Sequence, residues 1–76
     1  MTPEQMEERL KSEIPGADVI VNDLTGSQDH YEVRVAASAF KGKSRIDRQR
    51  LVMDIFGPEL KSGEVHALTI QTMEKD

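Results

Sequence analysis

Two stretches with the period of a β-strand flank one helix-forming segment, and that arrangement limits the folds open to the chain more than any other feature. In the first, Tyr31, Val33, Val35 and Ala37 alternate with Glu32, Arg34 and Ala36, the pattern of a strand with one face buried. The second covers residues 65–72, with His66, Leu68 and Ile70 expected on one face and Val65, Ala67 and Thr69 on the other. Between them, Ser44 and Asp47 stand in the S-x-x-D relation of a capping box, so the helix begins near Arg45. Gly57-Pro58 ends it, and residues 58–62 are expected to add a short turn of helix before Gly63. A strand, a crossover helix and a strand in one sheet run parallel with a right-handed connection.

The remaining segments fit around this unit. Thr2 before Pro3, with Gln5 three residues after it, reads as a capping box opening a first helix. Met6, Leu10 and Ile14 recur every four residues as its apolar stripe, Glu7 and Lys11 pair on the outside, and Pro15-Gly16 stops it. Val19, Ile20 and Val21 within residues 18–24 form a strand that enters a loop around Gly26. The first two strands most simply make an antiparallel hairpin. The expected fold is therefore α+β, in the order α-β-β-α-β, with helices on one face of a three-stranded mixed sheet.

Projected at about 100° per residue, the main helix places Ile46, Leu51, Val52, Met53, Ile55 and Phe56 on a broad apolar arc, opposite Asp47, Arg50 and Asp54. That arc is the expected core face. Arg45, Arg48 and Gln49 project into it from the first turns, so the start of the helix is expected to overhang the sheet.

Composition narrows function by exclusion. Seventy-six residues make a single domain that buries only about 60% of the surface of its unfolded chain, which leaves little room for an enclosed active site. The core is expected over roughly residues 4–72, with residues 73–76 as a short flexible tail. Cysteine is absent, so there is no disulfide framework, no thiol nucleophile and no thiolate ligand of the chain's own. No apolar run reaches the length of a membrane span and the first residues lack a signal-peptide pattern, so a cytoplasmic address without membrane contact is expected. No Ser-His-Asp set or placed carboxylate pair supports catalysis, and the chain is read as a non-enzyme.

Charge is unevenly spread. Lys41, Lys43, Arg45, Arg48 and Arg50 against Asp47 give residues 41–50 a net charge of +4 in a chain whose total is −4, so the other 66 residues carry −8. This local basic patch is a candidate contact for a partner or for nucleic-acid phosphates, although a solvated face is the commoner meaning of such charges. Gly42-Lys43-Ser44 ends like a phosphate-binding loop, but the first glycine of G-x-x-x-x-G-K-S would fall at Ala37, and the match fails. The layout is similar to KH domains, yet no G-x-x-G loop is present.

His30 and His66 are the only two histidines. If the second and third strands are parallel, their starts lie at one edge of the sheet, and neighbouring strands are about 4.8 Å apart. The two imidazoles could then converge on one ion or cluster. The plainer alternative is a turn histidine and a hydrogen-bonded strand histidine that bind nothing. Two histidines do not close a zinc site, so a metal reading needs ligands from a partner.

Taken together, His30-Tyr31, Ala39-Phe40-Lys41-Gly42-Lys43-Ser44-Arg45, Arg48-Gln49-Arg50-Leu51-Val52 and Val65-His66-Ala67-Leu68 before Gln71-Thr72 resemble the BolA family, from about Leu10 to Thr72. The resemblance implies a KH-like domain that pairs with a monothiol glutaredoxin and shares a [2Fe-2S] cluster with the glutaredoxin cysteine and glutathione, in iron–sulfur and iron homeostasis. It assigns the family's late histidine to His66, and the second ligand, a cysteine or histidine in the loop before the second strand, to His30. Two imidazoles on one iron would resemble a Rieske-type donor set. Lys41, Lys43, Arg45, Arg48 and Arg50 are expected to contact the partner. The family pattern often has histidine where this chain has Gln49. Some members are described as stress-response factors or transcriptional regulators, which makes DNA binding through the same basic residues the alternative, and weak homodimerisation stays open.

Overall fold

The computed structural model describes residues 1–75. Helix α1 (Pro3–Glu13) is followed by strands β1 (Asp18–Asp23) and β2 (His30–Ala37), a 3-10 turn (Ser38–Phe40), helices α2 (Arg45–Ile55) and α3 (Gly57–Ser62), and strand β3 (Ala67–Glu74). The sheet order is β1-β2-β3. β1 and β2 pair antiparallel with Val19 opposite Val35 and Val21 opposite Val33, while β2 and β3 pair parallel with His30 opposite Ala67 and Val33 opposite Ile70. This is the expected α+β mixed sheet, and both the hairpin and the crossover are present.

The helix starts form as their sequences dictate. Thr2 Oγ1 accepts the Gln5 backbone N–H at 3.1 Å and Gln5 Oε1 accepts that of Thr2 at 2.9 Å, a complete capping box. At α2, Ser44 Oγ accepts the Asp47 N–H at 3.1 Å; among the described residues the reciprocal bond is not formed. Gly63 closes α3 in the left-handed region at φ 85°, where a Cβ would be strained.

One face of the sheet supplies Val19, Tyr31, Val33, Val35, Ala37 and Ile70 to the core, and the helices cover it with Met6, Leu10, Ile14, Val52 and Phe56. Burial of the alternating β2 residues fixes the register, because a slip of one residue would turn that set to solvent. A second tie joins the two helices outside the core. Arg9 Nη1 and Nη2 donate to Glu59 Oε1 and Oε2 at 2.5 and 3.1 Å, and the guanidinium lies 5.6 Å from the centroid of the Phe56 ring. This hydrogen bonding holds the Glu59 carboxyl below its ordinary value, and the paired fork geometry is the strong form of such contacts.

Three expectations need correction. The apolar arc of α2 is narrower than its composition suggests: Val52 and Phe56 are buried and Leu51 and Ile55 half-buried, but Ile46 and Met53 are 64% and 46% exposed. A single sheet face can be covered by only one side of a helix, so the flanks of a broad arc stay in water. Strand β3 starts at Ala67, after residues 65 and 66; Val65 is buried and its N–H donates to Glu59 O at 3.1 Å, so it finishes the α3 turn. His66 therefore does not share the inward face of Leu68 and Ile70; it is exposed. Finally, Met73 and Glu74 belong to β3, and Lys75 donates from Nζ to Gly16 O at 2.8 Å and sits 3.2 Å from Asp18 Oδ2. The expected tail is thus ordered through Lys75, because parallel pairing continues to the end of β2; Asp76 lies outside the described residues.

The narrowed arc makes a direct test. Phe56→Ala removes a fully buried ring and is expected to cost about 3–5 kcal/mol, whereas Met53→Ala should stay within about 0.5 kcal/mol; urea denaturation of the two variants separates them.

Candidate metal centre

The parallel register of β2 and β3 decides what lies at the starting edge of the sheet. His30 opens β2, and Asp29 just before it accepts at its backbone oxygen from His66 N–H at 2.7 Å and from Ala67 N–H at 3.2 Å. The β2–β3 pairing thus reaches one residue beyond the strands and sets the two histidine backbones side by side. Their rings stack with centroids 6.1 Å apart and an interplanar angle of 14°. His66 is exposed and His30 half-buried, so both imidazoles are open to a partner.

The loop that delivers His30 is shaped by two aspartates. Asp23 Oδ1 accepts the backbone N–H of Thr25 and Gly26 at 3.3 and 3.0 Å, and its Oδ2 accepts that of Gln28 at 3.0 Å, which folds the turn. Asp29 Oδ1 accepts from Thr25 Oγ1 at 3.0 Å and from Ser27 Oγ, and lies 3.0 Å from His30 Nδ1. The Ser27 hydroxyl first, then His30, hold the Asp29 carboxyl well below the usual carboxylate range. Leu24, whose N–H donates to His30 O at 2.9 Å, is 57% exposed at the same end.

As a donor set, the two imidazoles fit half of a four-ligand site. Donor nitrogens sharing one ion sit about 2.0–2.1 Å from it, so the two rings, stacked with centroids 6.1 Å apart, would have to turn toward each other to share one. Among the described residues no group of three or more His, Cys, Asp and Glu side chains could hold an ion. Any further ligands would have to come from another molecule.

The basic residues stand elsewhere. β2 carries eight residues from His30 to Ala37, about 23 Å at 3.3 Å per residue, and the turn bearing Lys41 and Lys43 follows its far end. Arg45 and Arg50 are exposed on α2. Arg48 is committed within the chain: Nη2 donates to Glu74 at 2.6 Å and Nε to Lys43 O at 3.0 Å. The structure therefore brings His30 and His66 together and holds the basic set apart from them. Gln49 donates from Nε2 to Ile70 O at 3.0 Å, fastening α2 to the edge strand β3.

Sequence reasoning missed Asp29. Its signal was the Asp-His pair at the mouth of a strand, which spacing alone does not distinguish from ordinary loop polarity.

The order α-β-β-α-α-β around a three-stranded mixed sheet, with a two-histidine end left open by the sheet, defines a small KH-like α+β domain. The chain belongs to the BolA family, whose "BolA-like protein" model matches residues 6–76. It is 37% identical over 76 residues to an uncharacterised protein of the rpoN–murA intergenic region of Acinetobacter guillouiae, covering all of this chain and 88% of that one. BolA1 from Arabidopsis thaliana superposes with a TM-score of 0.85 at 26% identity, over 95% of this chain and 89% of that one. The BolA domain of SufE1 from the same plant gives 0.84 at 32% identity, over 95% and 90%. Among the described residues no helix is long and apolar enough to cross a membrane.

Because the backbone of His66, and not its ring, makes the structural contact with Asp29, His66→Ala is expected to change stability by no more than about 0.5 kcal/mol. Chemical denaturation checks this, and a neutral result makes the variant a clean probe of ligation.

Proposed function

We propose that the protein is a non-enzymatic adaptor that joins a monothiol glutaredoxin and holds, senses or delivers a [2Fe-2S] cluster, with His30 and His66 as its two ligands. The observation that carries this reading is the pair of open imidazoles stacked 6.1 Å apart at one end of the sheet. The set is incomplete among the described residues, and a glutaredoxin cysteine and a glutathione thiol would complete it as two nitrogens and two sulfurs. Such a mixed set raises the potential of a cluster above that of an all-thiolate one. Membership in the BolA family supports the same partner class. Leu24 offers the partner an apolar contact beside the ligands, and the exposed edge at Ala67 accepts its approach.

Anaerobic mixing with a cluster-loaded monothiol glutaredoxin should change the visible absorption and CD spectra. His66→Ala and His30→Ala should each weaken that change by roughly 100-fold or more in apparent affinity, beyond the 10–100-fold typical of losing an outer-shell group. A wild-type protein that leaves the glutaredoxin spectrum unaltered would sink the proposal.

A second reading, duplex DNA binding, is favoured by the gathering of cations at the opposite end of the sheet. Lys41, Lys43, Arg45 and Arg50 would carry it; Arg48 also bonds to Glu74. Four phosphate contacts give a log–log salt slope of about −3.6. Retention on duplex DNA with such a slope, still measurable at physiological salt, supports this reading; absent or salt-insensitive retention removes it.

A further inference from the structure

We propose that Asp29 is the positioning residue of the two-histidine end: its carboxylate holds His30 with the proton on Nδ1 and the lone pair on Nε2, and its backbone carbonyl sets His66 alongside. The metal-directed half of this inference rests on the function proposed above; the half that concerns the tautomer of His30 does not.

An ionised carboxylate can only accept hydrogen bonds. The 3.0 Å contact between Asp29 Oδ1 and His30 Nδ1 is therefore a hydrogen bond only when Nδ1 carries the proton, and a neutral imidazole then keeps its lone pair at Nε2. Histidines that bind metals regularly donate their other N–H to a carboxylate, which fixes tautomer and ring orientation and raises ligand basicity. Asp29 meets this requirement with a carboxylate that is itself immobilised, since Thr25 Oγ1 and Ser27 Oγ donate to the same oxygen and Asp23 folds the turn beneath them.

The second hold is on the other histidine. The Asp29 carbonyl accepts from both His66 N–H and Ala67 N–H, so the residue that orients the first imidazole also anchors the backbone of the second. A carboxylate serving only to fold the loop would have no need of the Nδ1 contact, because Asp23 already supplies the turn's backbone caps. Asp29 is thus expected to act through His30, without touching the cluster.

The test reads the protein alone and then with its partner. In 15N-labelled protein at about pH 8, where an ordinary imidazole is neutral, long-range 1H–15N correlations of His30 should show a protonated Nδ1 and an unprotonated Nε2. Asp29→Ala should abolish this preference while leaving the β2–β3 backbone amide shifts in place, since the carbonyl anchor remains. A wild-type His30 protonated on Nε2, or the same tautomer in wild type and Asp29→Ala, overturns the inference; the wild-type measurement decides even where the variant folds poorly. With cluster-loaded monothiol glutaredoxin, Asp29→Ala should lower apparent affinity about 10–100-fold, and Asp29→Asn, which keeps an oxygen acceptor, should recover part of it. Equal affinity of wild type and Asp29→Ala overturns Asp29's role in ligation. A wild type with no spectral response defeats the cluster reading instead, and the tautomer result still decides on Asp29.

Discussion

The parallel pairing of β2 with β3 is the constraint on which the rest of this structure depends. It forces the intervening chain, the basic turn and α2, to cross over one face of the sheet in the right-handed sense. That crossover lays α2 along β3, so that Val52 and Phe56 join the alternating residues of β2 in one core, and it places the starts of the two strands at the same edge. One backbone oxygen, that of Asp29, extends the pairing by a residue and brings His66 beside His30. Core and candidate site are consequences of one register.

That register is held mainly by burial. Tyr31, Val33, Val35 and Ala37 are all buried, and moving β2 by one residue would exchange them for Glu32, Arg34 and Ala36. Since small domains have little surplus burial, polar ties finish what the core begins. The Arg9–Glu59 pair joins α1 to α3, Arg48–Glu74 joins α2 to the end of β3, and Gln49 caps an edge-strand carbonyl. Two of these three come from the basic helix start, so that segment is partly a structural brace.

The same geometry divides the surface into two ends. A β2 strand of eight residues separates a two-histidine edge from a cation-rich turn. The first end presents two imidazoles with the Asp29 carboxylate 3.0 Å from His30 Nδ1; the second presents positive charge. The adaptor reading proposed above assigns the cluster to the first end.

Local sequence by itself determined the elements and their order. The capping residues Thr2, Gln5 and Ser44, the four-residue stripe Met6-Leu10-Ile14, the alternation in β2 and the breaks at Gly57-Pro58 and Gly63 are short-range signals that act within a few residues of where they are written. Crossover logic carried the sequence as far as putting His30 and His66 at one edge, and the family resemblance agreed. Tertiary structure alone decided the rest: which part of the α2 arc is covered, where β3 starts and ends, that Arg48 is bound to Glu74, and that Asp29 holds both histidines. These depend on contacts between residues far apart in the chain, on how much of a helix one sheet face can cover, and on which carbonyl a given register presents; no local pattern encodes those quantities.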